Sequence, residues 1–349
     1  MAIAKVEPLL TTRSVSGPFD YRLPEAMEHV GVGSVLVVPF GRRKVVGVVV
    51  GLADSSELPD GRLAEPLEAL EAGVPPELVE LGRWVGEEYC STVGRGLGLV
   101  LPPGVGTGAD ARRVKPLVEL EIEATSEGID AVEGGERLGL RQKAVLRALM
   151  AGPQRARRLA ASAGSDRATL RRLESRGLVR TREVERRRHH HSPGVGAVRE
   201  GIELTGDQRS VLESVVGSLP DGGSADPAPS FLLHGVTGSG KTEIYLDAAR
   251  ETLERGRGAI VLVPEIALTP QTMDRFRRRF GDSVALLHSK MPAGARYDEW
   301  RRLRSGEARI CVGPRSAVFA PIADPGLIVI DEEHDSSYKQ ESDPRYDAR

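Results

Sequence analysis

Phe231-Leu-Leu-His-Gly-Val-Thr-Gly-Ser-Gly-Lys-Thr242 reads as a buried strand, a tight glycine loop and the start of a helix. Gly235, Gly240, Lys241 and Thr242 fit the spacing G-x-x-x-x-G-K-[ST] of a phosphate-cradling P-loop. Glycines remove the Cβ atoms that would block the approach. The backbone N–H groups from Gly235 through Thr237, Gly238, Ser239 and Gly240 can then curl around phosphate oxygens. The N-terminus of the following helix adds a dipole favourable to an anion. Lys241 is placed to reach the β- and γ-phosphates, and the Thr242 hydroxyl to ligate Mg²⁺. The bland alternative is a glycine-rich β-turn, which would need no helix after it. The helix-like residues 243–254 and the apolar run 259–263 supply the context a P-loop requires.

Outward from that loop the text is α/β. Strands are predicted at 231–234, 259–263, 283–287, 309–312 and 327–330, with helical patterns between them and one helix starting within Leu204-Thr-Gly-Asp-Gln-Arg-Ser-Val-Leu212. That alternation predicts a doubly wound parallel sheet. Gly326-Leu-Ile-Val-Ile-Asp-Glu-Glu-His334 then delivers acids to the end of a buried strand. Asp331 suits Mg²⁺ held through water, and Glu332 suits polarising an attacking water. Lys241, Asp331 and Glu332 are therefore the candidate catalytic residues, in a nucleoside-triphosphate hydrolase site.

Upstream, Gly33-Ser-Val-Leu-Val-Val-Pro-Phe-Gly41 and Lys44-Val-Val-Gly-Val-Val-Val50 are short apolar strands joined by a turn bearing Arg42 and Arg43. They predict a small β-barrel or sandwich. Residues 75–91 follow as an amphipathic helix with Leu78, Leu81, Trp84, Val85 and Tyr89 roughly on one face. Residues 119–136 are acidic and glycine-containing, and read as a strand end followed by a linker. The stretch from Arg137 to Arg188 holds sixteen Lys/Arg against four Asp/Glu. Its apolar positions predict helices at 142–150, 156–163 and 167–176, then a strand from Gly177, which is a winged-helix pattern. Arg167, Arg171, Arg172 and Arg176 lie on the third helix. DNA binding and docking on a neighbouring domain are equally open readings of that surface. His189-His-His191 sits in an Arg-rich linker and reads as solvated chain rather than a metal site. The expected division is 1–110, a β-rich domain; 111–200, a winged helix with its linker; and 201–349, a P-loop lobe.

The chain has 349 residues and a formal charge of −2, so it is no polycation and any nucleic-acid surface must be local. Cys90 and Cys311 make neither a disulfide framework nor a zinc set. The start lacks a signal-peptide pattern, and no apolar run approaches the length of a membrane span, so a cytoplasmic location with no membrane partner is expected.

The pairing of P-loop and Asp331-Glu-Glu-His334 resembles that of superfamily-two DNA helicases. Val263-Pro-Glu-Ile-Ala-Leu-Thr-Pro-Gln271 and Val312-Gly-Pro-Arg-Ser-Ala-Val-Phe319 look like their DNA-contacting motifs, and Asp331-Glu-Glu-His-Asp-Ser-Ser-Tyr-Lys-Gln340 like the acidic motif running into an aromatic-rich loop. That set is similar to the family of primosomal protein N′, the PriA replication-restart helicases. Gly17-Pro-Phe-Asp-Tyr21, Val38-Pro-Phe-Gly41 and Leu81-Gly-Arg-Trp-Val85 with Leu101-Pro-Pro-Gly104 resemble that family's first domain.

The resemblance implies ATP and Mg²⁺ as cofactors, forked and single-stranded DNA as partners, and primosome or replicative-helicase loading proteins beside them. It implies 3′→5′ unwinding coupled to ATP hydrolysis. Phe19, Asp20 and Tyr21 fall on the family's pocket for a nascent 3′ end, although Phe19 and Tyr21 also read as ordinary alternating strand residues. Gln208 matches the glutamine that reads adenine, and equally reads as a polar residue at a helix start. Arg315 falls in a DNA-contacting motif. Pro314 stands where a smaller polar residue is usual. The family continues past the acidic motif with a second RecA-like lobe and a cluster of zinc-binding cysteines, and the sequence here ends at Arg349. Taken alone it is expected to bind DNA and ATP and to turn ATP over poorly, with zinc ligands none in this chain. The rival reading is a non-enzymatic fork-binding scaffold of the primosome.

Overall fold

The computed structural model describes residues 2–10, 12, 15, 17–105, 114, 117–134, 137–186, 188, 203–219, 229–236 and 238–349. Thr237 and His189 to His191 lie outside the described residues. Contacts divide the chain into two units, Met1–Val114 with His190–Arg349, and Lys115–His189.

The first unit begins with β1 (Ile3–Pro8), β2 (Phe19–Arg22), β3 (Ser34–Phe40), β4 (Arg43–Ala53) and β5 (Glu68–Gly73). They form one antiparallel sheet in the order β2-β1-β4-β3-β5. The valine runs of β3 and β4 are nearly unbroken because both faces of these strands are buried. Leu36, Val38, Val45 and Val49 join Ala4, Val6 and Tyr21 on one face. Val35, Val46 and Val48 face the other way, toward α1 (Pro76–Glu88) and α2 (Val93–Val100). Gly41 and Arg42 make a two-residue hairpin, and Gly41 at φ +58° supplies the left-handed backbone it needs. A bridge between Tyr21 and Ala64 ties the β2 edge to the segment leading into β5, so the sheet curls on itself. The barrel-or-sandwich expectation thus resolves to one curled sheet.

The expected face of α1 needs correction. Val79, Gly82, Val85 and Gly86 are buried, while Trp84 is 51% exposed. The cause is α2, which the reading of 75–104 did not anticipate. Its glycines weaken helix propensity but let it cross α1 backbone to backbone. A Cβ on Gly96 would lie 2.0 Å from the Gly82 carbonyl oxygen. Thr92 caps α2 by accepting a bond from the Arg95 N–H at 3.3 Å.

The second unit comprises β6 (Leu117–Ala124), α3 (Ser126–Glu133), α4 (Leu140–Leu149), β7 (Gln154–Arg155), α5 (Ala156–Ala163), α6 (Arg167–Ser175) and β8 (Val179–Arg186). The sheet order is β7-β6-β8, antiparallel. The predicted helices and the strand after Gly177 are present. The acidic stretch is not a linker: β6 pairs with β8 from Leu117↔Arg186 to Ala124↔Val179, and α3 is capped by Thr125. Glu121 stands opposite Arg182 and pairs with it, so the acids of β6 are matched to the basic β8. Ile122, Val145, Leu146, Leu159, Leu173 and Val179 form the core.

The rest of the first unit holds α7 (Gly206–Gly217), α8 (Lys241–Glu254), β9 (Gly258–Leu262), α9 (Pro270–Phe280), β10 (Val284–Leu286), α10 (Ala293–Arg304), β11 (Ile310–Gly313) and β12 (Pro325–Ile330). The strands run parallel in the order β10-β11-β9-β12. β9 is buried throughout, as expected of a central parallel strand. The strand predicted at 231–234 is a correction. Residues 229–236 carry no regular structure, and Leu232 is 81% exposed. Apolar composition alone does not make a strand; it needs a partner edge. β12 keeps an open edge, with Ile328 exposed. No described helix is long and apolar enough to cross a membrane.

Candidate functional site

The glycine loop enters α8 through Gly238 at φ +81° and Gly240 at φ +84°, both in the left-handed region. Lys241 opens the helix and folds its ammonium back onto the loop, donating to the carbonyls of Gly235 at 2.7 Å and Val236 at 3.4 Å. The helix start of α7 lies against the same loop. Thr205 and Gln208 cap that helix reciprocally, and Gln208 Nε2 donates to the Ser239 carbonyl at 2.8 Å. A Cβ on Gly240 would lie 2.4 Å from Gln208 Nε2. Gly240 is thus required by its backbone angle and by its neighbour. Gln208 combines both of its sequence readings: it is a capping residue, and it touches the P-loop.

Asp331 follows β12, and its N–H donates to the Leu262 carbonyl at 2.9 Å, extending the ladder to β9 by one residue. Burial, then the adjacent Glu332 charge, push its carboxyl above the usual carboxylate range, against a bond from Tyr245 and the charge of Lys241. The Tyr245 hydroxyl donates to Asp331 Oδ2 at 3.4 Å. On the other side the Tyr338 hydroxyl donates to the carbonyls of Asp331 at 2.5 Å and Leu262 at 3.2 Å. Glu332 is held at φ +48°, a conformation costing roughly 1–2 kcal/mol for a residue with a side chain. The strain sits at the exit of β12, where it turns the acidic run out of the sheet direction.

Thr242, in the first turn of α8, and Asp331 both neighbour Tyr245. A hydroxyl and a carboxylate beside a lysine suit Mg²⁺, which binds mainly phosphate oxygens and water and takes one or two protein oxygens. Among the described residues no cluster of three or more His, Cys, Asp or Glu forms a dedicated metal cage.

The other candidates divide. Phe19, 36% exposed, packs edge-on against Phe40 with ring centroids 5.1 Å apart. Asp20 accepts from Ser56 at 2.6 Å and from Lys5 at 3.1 Å. Burial opposes its ionisation, but these two partners outweigh it and hold the carboxyl below its ordinary value. Tyr21 is buried, and its hydroxyl donates to the Pro39 carbonyl at 2.9 Å. It has no free ring face for a base, and the alternating-strand reading describes it. Arg315 opens the 3-10 turn Arg315–Phe319 and donates to Gln340 Oε1 at 2.7 Å and the Ser337 carbonyl at 2.8 Å. Its guanidinium is engaged by the loop after Asp331. Arg171 and Arg172 are exposed on α6, whose Asp166 cap accepts from the Thr169 N–H at 2.7 Å.

Tyr245 and Tyr338 are site residues that sequence reasoning missed. Tyr245 had a signal: it lies one helical turn after Thr242, and so on the same face. Tyr338 had none, because its reach to Asp331 depends on how the following loop folds back.

Two family models match the chain: the PriA 3′ DNA-binding domain (3′BD) over residues 9–102, and the DEAD/DEAH box helicase over residues 207–348. The replication restart protein PriA of Bacillus subtilis (strain 168) is 33% identical over 414 aligned residues, covering 100% of this chain and 51% of that protein. That of Chlamydia pneumoniae is 33% identical over 339, covering 96% and 44%. That of Synechocystis sp. is 46% identical over 182, covering 52% and 21%. The chain spans about half the length of the curated relatives it matches end to end. With matches running from the curled sheet through the P-loop to the acidic turn after β12, the chain belongs to the PriA family of replication restart proteins, corresponding to an N-terminal portion.

Proposed function

We propose that this chain is the fork-binding and nucleotide-binding portion of a replication-restart helicase that works in the cytoplasm. The whole protein would couple ATP hydrolysis to 3′→5′ unwinding and to loading of the replicative helicase through primosome partners. The observation that carries the reading is the meeting of Thr242 and Asp331 beside one tyrosine hydroxyl. That contact joins the P-loop end of the lobe to its acidic end. Gly235 to Thr242, with Gln208 behind the loop, would bind ATP. Thr242 and Asp331 would hold Mg²⁺, whose charge would offset that of the phosphates. Glu332 would orient water, and Lys241 would leave the loop carbonyls for the phosphates.

The three divisions proposed are 1–110, 111–200 and 201–349. The first would hold a nascent 3′ end with Phe19 stacking the base and Asp20 accepting the 3′-OH, Tyr21 supporting them from the core. The second is proposed as a winged helix, a reading supported by the succession α4, α5, α6 and β8. Arg171 and Arg172 would contact phosphates there, giving sequence-tolerant binding to forked and single-stranded DNA. The test is binding of a fluorescent ATP analogue with Mg²⁺. Lys241→Ala is expected to abolish binding with the fold intact by circular dichroism. Equal affinity of mutant and parent would refute the nucleotide site.

A further inference from the structure

Tyr245 is the one polar side chain on an otherwise apolar stretch of α8. Its neighbours Ile244, Leu246, Ala248 and Ala249 are buried with it. The ring is 7% exposed and stacks on Phe276, with centroids 6.4 Å apart and planes 17° from parallel. A phenylalanine would fill that space as well, so packing does not explain the hydroxyl. The hydroxyl reaches the Asp331 carboxylate, and the Thr242 side chain lies beside it. A helical spacing of three residues puts Thr242 and Tyr245 on one face, and that face meets the end of β12. Asp331 is braced on its backbone side by Tyr338. Tyr245 is the partner that reaches its carboxylate.

We propose that Tyr245 is a positioning residue for the magnesium of the bound nucleotide: its hydroxyl sets the orientation of the Asp331 carboxylate relative to the Thr242 hydroxyl before the ion arrives. The inference rests on the nucleotide-site reading above. Its physical basis is general: a ligand whose outer hydrogen bond is removed loses its fixed orientation, and metal affinity falls by about 10–100-fold. Nucleotide contacts that do not involve the ion are left as they were, because the P-loop glycines, Lys241 and Gln208 do not depend on the hydroxyl.

The experiment uses the full 349-residue chain and a fluorescent ATP analogue. Binding is titrated with MgCl₂, and separately measured in excess chelator. For Tyr245→Phe, the Mg²⁺ concentration giving half-maximal enhancement is expected to rise about tenfold, with affinity in chelator unchanged. Mn²⁺ bound with the nucleotide, read by electron paramagnetic resonance, is expected to weaken in parallel. An unchanged Mg²⁺ midpoint would overturn the proposal. So would an equal loss of affinity with and without Mg²⁺, because that is what a merely structural tyrosine would give. A parent chain that binds no analogue under either condition would sink the nucleotide-site reading, and this inference with it.

Discussion

Two arginine-rich helices meet different fates in this molecule. α9 carries Arg275, Arg277, Arg278 and Arg279, and α6 carries Arg167, Arg171 and Arg172. On α9 the charges are committed. Arg279 pairs with Glu243 and Asp247 of α8, Arg278 with Asp274 one turn earlier, and Arg277 is also engaged. On α6, Arg167, Arg171 and Arg172 are exposed, and among the described residues none of them enters an ion pair. The difference lies in the opposing acids. α8 offers Glu243 and Asp247 at a spacing of four, one face of one helix, whereas α6 has only Glu174 within it. Cation density along a sequence therefore measures potential. Whether a neighbour has already used the charge decides if phosphate can have it.

The largest expected effect tests the committed side. Arg302 of α10 is the most engaged arginine of the lobe, bonded to Glu299 at 2.9 Å, Glu307 at 3.2 Å and the carbonyls of Val284 and Asp282. Its side chain is 11% exposed. Arg302→Ala is expected to destabilise the fold by about 2–3 kcal/mol in urea unfolding, since it strands buried acceptors. Fork affinity should not change beyond that loss of folded protein.

The same contrast recurs on β2. Tyr21→Phe removes the bond to the Pro39 carbonyl and is expected to cost about 1 kcal/mol, with the preference for a fork bearing a nascent 3′ end retained. Phe19→Ala, at a partly exposed ring, is expected to abolish that preference in fluorescence anisotropy. The reverse pattern would move the 3′-end contact to the buried tyrosine and break the rule. Arg279→Ala, which breaks a partly screened pair, is expected to cost about 1 kcal/mol or less and to leave DNA binding unaltered. Smallest is the stability change for the double replacement Arg171→Ala with Arg172→Ala, expected within about 0.5 kcal/mol of the parent.

How far the sequence could be read follows the same logic. β9, β10, β11 and β12 were legible because a buried parallel strand needs only a short apolar run between turns. The hairpin of β3 and β4 was legible from its valines and Gly41. The α1–α2 crossing was not, because Gly82, Gly86, Gly94 and Gly96 lower helix propensity locally and gain their value only from the other helix. α3 and the acidic β6 read as linker, since the arginines of β8 that match Glu121 lie about sixty residues away. The run 231–234 has strand composition and no strand partner. In the site, Lys241, Thr242 and Asp331 stood out by motif. Tyr245 was visible only as a spacing, and Tyr338 only after folding.

The central claim is that exposed, unpaired arginines of α6 supply phosphate contacts and the paired ones of α9 do not. The most direct measurement is the slope of log K against log[salt] for a forked duplex. Three forms of the 349-residue chain are compared: the parent, the Arg171→Ala/Arg172→Ala protein and an Arg278→Ala/Arg279→Ala protein. Each lost phosphate contact flattens the slope by about 0.9. The account predicts a slope shallower by roughly 1.8 for the α6 pair and unchanged for the α9 pair. An unchanged slope for the α6 pair, or an equal flattening for both, would contradict it.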